Sequence, residues 1–137
     1  RITTQCLNTE RLVTYLSKNF SKYELVLAKI YHSSLQPNSE IVRKQLNGYY
    51  NPVFAIEMKM DWMVKEVLNG FQFLSNNPNL EGGETLVETV KGNPNFISSN
   101  LNGTLMRFSV GCEDFQDIIR DVDQALLNVV KKCSLVA

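Results

Sequence analysis

The sequence predicts an α/β (α+β) domain in which helices cover one face of a small, mostly antiparallel sheet. Three observations support this fold class. Apolar residues recur every three or four positions in some segments and alternate in others, and these helix and strand patterns follow one another in short units. Several connections are too short for the crossovers that parallel strands need. A sheet with helices on one face then buries both kinds of apolar stripe, and 137 residues suit a single domain.

Four helices are predicted from apolar spacing and from residues that favour helix ends. They are residues 2–18, 39–46, 61–70 and 113–132. The last has the clearest apolar stripe, which consists of Phe115, Ile118, Ile119, Val122, Leu126, Val129 and Val130. Acidic residues occupy its first turn and lysines its last, as the helix dipole favours. Gly48 and Gly70 are the expected terminators of the second and third helices.

Five strands are predicted between these helices. They are residues 24–31, 53–60, 71–75, 85–90 and 104–110. In residues 53–60 the apolar side chains alternate with others, as in a half-buried strand, and Phe54, Ile56, Met58 and Met60 form the inward set. We expect the core to include Ile56, Met58, Phe108, Phe115, Ile118, Ile119, Val122 and Leu126. Asn, Pro and Gly concentrate in residues 76–83 and 92–103, which are predicted loops at a functional edge.

Composition excludes several classes of function. Fourteen basic and fourteen acidic side chains give no net charge, so no basic surface for nucleic acid is expected. No apolar run approaches the roughly 18 residues of a membrane span. The three cysteines are far apart and form no CxxC pair, so they predict neither a disulfide framework nor a metal site. We therefore expect a cytoplasmic protein that binds neither nucleic acid nor membrane.

Few residues suggest catalysis within this chain. His32 is the single histidine, and no nucleophile or phosphate-loop motif is present, so a surface or core-edge histidine is the favoured interpretation. Gly82-Gly83 is interpreted as a tight turn in preference to a phosphate cradle. The chain also begins at Arg1 directly inside a predicted helix, which suggests a piece of a longer polypeptide.

Arg107 is the most informative polar residue. Strand alternation places it with Leu105 and Ser109 on one face and puts Met106 and Phe108 on the other. A guanidinium projected from an otherwise apolar strand needs an anion. That anion is either the carboxylate of a ligand or a structural partner, for which the candidates are Glu57, Glu84 and Glu113.

The segment around Arg107 resembles a known family signature. Residues 107–114, RFSVGCED, and the following residues 118–126 resemble the closing signature of the pyridoxal-phosphate-dependent Cys/Met metabolism enzymes. This family includes cystathionine γ-synthases, cystathionine lyases and methionine γ-lyases. Residues 79–86, NLEGGETL, are similar to the family's SLGGVESL segment. The resemblance covers almost the whole chain. It implies that residues 1–137 are the single small C-terminal domain of a fold-type-I enzyme whose cofactor-binding large domain is absent from this chain.

The resemblance also implies roles for two residues. Arg107 would bind the α-carboxylate of the substrate, and Asn79, which replaces the family's serine, would be a second substrate-binding residue. Pro78 stands where many γ-acting members have an acidic residue, which favours β-elimination over γ-replacement. Pyridoxal 5'-phosphate would be bound by a lysine of the large domain, so no catalytic or cofactor-binding residue is expected in this chain.

The expected function is therefore that of a domain within a larger enzyme. The favoured hypothesis is a cystathionine β-lyase-like carbon–sulfur lyase that acts on a sulfur-containing amino acid as a homo-oligomer, either a dimer or a tetramer. The alternatives are a γ-replacement transferase such as cystathionine γ-synthase and a non-catalytic structural or oligomer-contact domain. An autonomous module that binds small acids is the least favoured hypothesis, because half of its pocket would be missing.

Overall fold

The computed structural model describes residues 2–45, 48–74, 84–89 and 104–136. In these ranges the chain forms helices α1 (Ile2–Lys18), α2 (Phe20–Tyr23), α3 (Ser39–Gln45), α4 (Asp61–Gly70) and α5 (Phe115–Val136) and strands β1 (Leu27–Tyr31), β2 (Val53–Met58), β3 (Leu86–Thr89) and β4 (Leu105–Ser109). A single 3-10 turn, Ser33–Leu35, follows β1. None of the helices in these ranges is both long enough and apolar enough to cross a lipid bilayer.

The four described strands form one antiparallel sheet in the order β1-β2-β4-β3. Strand β4 is an inner strand, with Phe108 opposite Phe54 of β2 and Val87 of β3. The predicted fold class, a small antiparallel sheet with helices, is confirmed.

Helices α1, α4 and α5 pack on one face of this sheet and enclose the main core. The Phe54 and Phe108 rings stack at its centre with their centroids 4.7 Å apart, and Phe71 meets the Phe108 ring edge-on at 6.3 Å. The predicted core residues Ile56, Met58, Phe108, Ile118, Ile119, Val122 and Leu126 are all buried. Phe115 is half-buried at the margin of this core.

Two predicted strands differ from the observed ones by at least two residues at one end. Met60 was expected to point inward but is 54% exposed, because β2 ends at Met58 and α4 begins at Asp61. Strand β1 begins at Leu27, because a turn closed by the bond from the Val26 N–H to the Tyr23 carbonyl precedes it.

The predicted strand at residues 71–75 is wrong for the four residues that the structure describes. The backbone N–H groups of Gln72, Phe73 and Leu74 all donate to the buried carboxylate of Asp121, at 2.8, 2.8 and 2.6 Å. These three donors are consequently unavailable to a sheet ladder, which would need them for a neighbouring strand. Residues 71–74 instead form a turn directly after α4, and the carboxylate of Asp121 binds the backbone of this turn.

Two further predictions concern the helix terminator Gly48 and the loops. Gly48 has a φ of +89°, the left-handed conformation expected of a residue that follows a helix. The predicted loops at residues 76–83 and 92–103 lie outside the described residues.

His32 connects the end of β1 to the segment before β2. Its Nε2–H donates to the Asn51 carbonyl at 2.8 Å, while its Nδ1 accepts from the Ser34 N–H at 3.3 Å. Burial lowers the pKa of this imidazole, and the bond to Asn51 opposes that shift only in part. The neutral ring is therefore the form that the fold stabilises.

A pH dependence of stability follows from this lowered pKa. The unfolded chain binds a proton at His32 near pH 6.5, whereas the folded chain binds it only at lower pH, so stability falls as the pH drops below about 6.5. Between pH 7.5 and 5.5, we expect the free energy of unfolding to fall by up to about 1 kcal/mol. Urea melts at several pH values would measure this fall in the free energy of unfolding. The His32→Gln variant should show little change in this range, and an equal slope in both proteins would contradict the assignment.

Candidate functional site

The sheet face opposite the helices carries Arg107. In the strand register, Arg107 lies directly opposite Ala55 of β2 and Glu88 of β3. Residues directly opposite in neighbouring strands project to the same side, so all three side chains share this open face. The Arg107 guanidinium forms an ion pair with the Glu88 carboxylate, and the two side chains are 45% and 37% exposed.

The partner of Arg107 differs from the three acids considered in the sequence analysis. Glu57 accepts a hydrogen bond from the Tyr31 hydroxyl at 2.6 Å, and Glu113 accepts bonds from Thr85. Glu88 pairs with the arginine because the β3–β4 register places it directly across the strand. This register depends on how β3 and β4 align after a long connection, which sequence alone does not specify.

A small apolar cluster lies beside the ion pair on the same face. Ala55 and Leu105 are buried and pack with Tyr31. Burial, followed by the bond to Glu57, raises the pKa of the Tyr31 phenol to about 12, so the phenol remains a neutral donor at physiological pH. The Lys29 ammonium lies 4.9 Å from the centroid of the Tyr31 ring. The open face therefore combines a small apolar cluster with charged side chains.

The signature residues that follow Arg107 form a polar network at the end of β4. The Glu113 carboxylate accepts from the Thr85 N–H at 2.7 Å and from the Thr85 hydroxyl at 2.6 Å. The Gly111 N–H donates to the Thr85 hydroxyl oxygen at 2.9 Å. From α1, the Asn8 amide donates to the carbonyls of Gly111 and Glu113 at 3.1 and 3.0 Å. Glu113 and Gly111 thus tie β3, β4 and α1 together.

Asn8 and Thr85 are structural residues that the sequence analysis missed. They are 6% and 1% exposed, and both have their polar groups satisfied by residues of the signature segment. For Asn8 the available signal was a polar residue close to the apolar stripe of α1, which is typical of a buried hydrogen-bonding position. Thr85 immediately precedes β3 and has no such signal. Their contacts hold the strand that carries Arg107.

Asp114 begins the last helix. Its side-chain oxygen accepts from the Gln116 N–H at 2.8 Å, and its carbonyl accepts from the Ile118 N–H at 3.2 Å. This capping explains why α5 begins at Phe115, two residues later than predicted. The acidic end of the signature is therefore structural, whereas Arg107 shares the open face with Ser109.

The comparison with known families agrees with the signature. The sequence profile of the Cys/Met metabolism PLP-dependent enzymes, where PLP is pyridoxal 5'-phosphate, matches residues 1–127. The chain belongs to this family. The resemblance noted in the sequence is thereby confirmed, and the members of the family are PLP-dependent enzymes.

Individual relatives are similar to this chain over a third of their own length. An L-methionine gamma-lyase of Fusobacterium nucleatum subsp. polymorphum is 28% identical in an alignment 136 residues long that covers 92% of this chain and 33% of the relative. The L-methionine gamma-lyase of Fusobacterium nucleatum subsp. nucleatum is 29% identical over the same shares of both chains.

Two solved structures have a similar fold. The cystathionine gamma-lyase from yeast superposes with a TM-score of 0.72 at 20% identity, covering 95% of this chain and 35% of that one. The O-acetylhomoserine sulfhydrylase of Wolinella succinogenes gives a TM-score of 0.67 at 20% identity, covering 91% of this chain and 33% of that one. The chain thus spans about a third of the family proteins it matches.

The described residues do not fit the requirements of a PLP site. The cofactor is held as a Schiff base on a lysine enclosed by its site, but every lysine among the described residues is exposed. A carboxylate anchor is the chemistry that Arg107 does offer. Asn79, the second predicted substrate-binding residue, lies outside the described residues, so its role stays a prediction.

Proposed function

We propose that residues 1–137 form the small C-terminal domain of a longer PLP-dependent carbon–sulfur lyase, in which Arg107 binds the α-carboxylate of the substrate. The observation that carries this proposal is the position of Arg107. An inner strand projects its guanidinium onto the open sheet face, where it is accessible and already holds a carboxylate. The large domain would supply the cofactor, which provides the electron sink for breaking the carbon–sulfur bond.

The chemistry of the guanidinium supports this role. A planar guanidinium can hold a carboxylate through two parallel charge-assisted hydrogen bonds, which fix the orientation of the anion as well as its position. The strand beneath it is held on both sides by β2 and β3, and its end is fixed by the Glu113 network. A rigidly mounted arginine of this kind would orient an amino-acid substrate through its carboxylate.

The favoured substrate is a sulfur-containing amino acid, with cystathionine β-elimination as the leading reaction because Pro78 replaces an acid of γ-acting members. The two Fusobacterium relatives named L-methionine gamma-lyase favour γ-elimination of methionine as the second candidate. The two reactions release different keto acids, pyruvate from cystathionine and 2-oxobutanoate from methionine, so product analysis separates them. γ-Replacement by a cystathionine γ-synthase-like transferase stays a further alternative. We further propose that the enzyme is a cytoplasmic homo-oligomer and that Asn79 is its second substrate-binding residue.

Arg107→Lys in the full-length enzyme tests the anchoring role. Lysine keeps the charge but loses the planar fork, so both affinity and the alignment of the substrate suffer. We expect kcat/KM per folded active site to fall about ten- to a hundredfold, which corresponds to roughly 1.4 to 2.7 kcal/mol of transition-state stabilisation.

Arg120→Lys is the matched control. Arg120 is an exposed arginine on α5 that pairs with Asp117 at 3.5 Å, away from the open sheet face. Its replacement should leave kcat/KM unchanged. The non-catalytic alternative gives a different result for Arg107→Lys, namely lowered stability with normal kinetics in the folded fraction, and that result would exclude the anchoring role.

A further inference from the structure

The Arg107 guanidinium is paired with a residue of this chain. Glu88 and Arg107 lie directly opposite each other in the β3–β4 register, and their side chains meet on the open face. Side chains at such positions have Cβ atoms about 4.5 to 5.5 Å apart, so the carboxylate reaches the guanidinium from an ordinary strand conformation. The pairing is therefore built into the alignment of the two strands.

Two other acids that could have paired with Arg107 bind other residues. Glu57, on the same face, accepts from the Tyr31 hydroxyl at 2.6 Å. Glu113 binds the backbone and the hydroxyl of Thr85. Among the described acids, Glu88 is the one whose carboxylate forms an ion pair with Arg107.

Glu88 offers the same chemical group as the proposed substrate. A side-chain carboxylate and an α-carboxylate are both planar anions that bind a guanidinium in the same way. When one of them occupies the planar edge of the guanidinium, the other is excluded from it. Both members of the pair are more than one-third exposed, and exposed ion pairs are weak, so a carboxylate from solution can reach the arginine and displace Glu88.

We propose that Glu88 is an internal competitor for the carboxylate of the substrate. It occupies Arg107 in the free enzyme, keeps the guanidinium on the open face, and is displaced when the substrate binds. Glu88 therefore sets the apparent affinity of the enzyme, because each substrate must break this pair before it binds. The inference rests on the proposed function of Arg107 and adds a residue that tunes it.

The test is the Glu88→Gln variant of the full-length holoenzyme, with steady-state kinetics on L-methionine and L-cystathionine. Glutamine has almost the same shape but no charge, so it competes poorly for the guanidinium. We expect KM to fall about two- to fivefold with little change in kcat, the size of effect that the loss of a weak, exposed pair produces. Glu88→Asp, which keeps the charge on a shorter side chain, should give a smaller decrease in KM.

Two controls separate competition from a general effect of charge or of folding. Glu66→Gln removes a carboxylate from another ion pair, that with Lys132 between α4 and α5, and should leave KM unchanged. Inhibition by 3-(methylthio)propylamine, which is methionine without its carboxylate, should be equal in the parent and in Glu88→Gln. A gain in affinity for the amine as well would overturn the proposal.

The experiments distinguish a failure of the anchoring role of Arg107 from a failure of the competition by Glu88. If Arg107→Lys lowers kcat/KM per folded active site but Glu88→Gln leaves KM unchanged or raises it, Glu88 is not a competitor, although Arg107 remains the anchor. If Arg107→Lys leaves kcat/KM per folded active site unchanged, the anchoring role itself is wrong. Thermal melting of each variant identifies any loss of folded protein, and KM, measured on the folded fraction, is independent of that loss.

Discussion

Replacing Phe108 with alanine is expected to lower the free energy of unfolding by about 3 to 5 kcal/mol, the usual cost of truncating a buried phenylalanine. The Phe108 ring is fully buried, stacks on Phe54 and meets the edge of Phe71. Alanine would remove both aromatic contacts and leave a cavity between the sheet and its helices. Urea melts of the 137-residue chain measure this loss, and Phe108→Leu should give a smaller, intermediate loss.

Phe73→Ala is the matched control for Phe108→Ala. The Phe73 side chain is 51% exposed, so its truncation should cost about 1 kcal/mol or less. Similar losses for the two variants would mean that the Phe54–Phe108 stack is not the centre of the core.

The second large loss of stability is expected when Asp121 is replaced. Its carboxylate, 4% exposed, accepts three consecutive backbone N–H groups and the Gln124 amide. Asp121→Asn keeps the shape but removes the charge, and it turns an NH2 group towards N–H donors that need an acceptor. Because hydrogen bonds to a charged group contribute roughly 1.5 to 3 kcal/mol, we expect a loss of about 2 to 4 kcal/mol.

Asp117→Asn supplies the comparison, since Asp117 lies one helical turn earlier on α5. Its side chain is 48% exposed and pairs with Arg120 at 3.5 Å, so its loss should cost under about 0.5 kcal/mol. Hydrogen exchange adds a local measurement. In Asp121→Asn the amides of Gln72, Phe73 and Leu74 should exchange faster, and unchanged protection there would contradict the role given to the carboxylate.

Regular periodicity in the sequence was sufficient to predict most of the fold. The apolar stripe of α5 and the alternation in β2 and β4 are local patterns, and each identifies its element and its buried face. The antiparallel arrangement was predicted correctly, but the expected short connections are not its cause, because the connections between the described strands are long enough for crossovers. The core residues on these elements were predicted for the same reason, because burial repeats with the period of the element.

The errors arose where distant residues decide the local structure. Residues 71–74 have the composition of a strand, but a carboxylate 47 to 49 residues further along the chain takes the N–H groups that a strand would use. Likewise, Arg107 was recognised as a residue in need of an anion, yet its partner Glu88 depends on the β3–β4 register. Hydrogen bonds between remote segments leave no periodic signal in the sequence.

The late position of β4 in the chain constrains how the domain can fold during synthesis. A ribosome releases the N-terminal residues first, so β1 and β2 emerge well before β4, which pairs with β2 in the sheet, and before α5, which covers the Ile56 face. Asn8 of α1 must also wait for Gly111, 103 residues later, to complete its hydrogen bond. Nascent chains of this domain therefore expose apolar surface until their last helix has left the exit tunnel, the stage at which partly folded chains are most prone to aggregate.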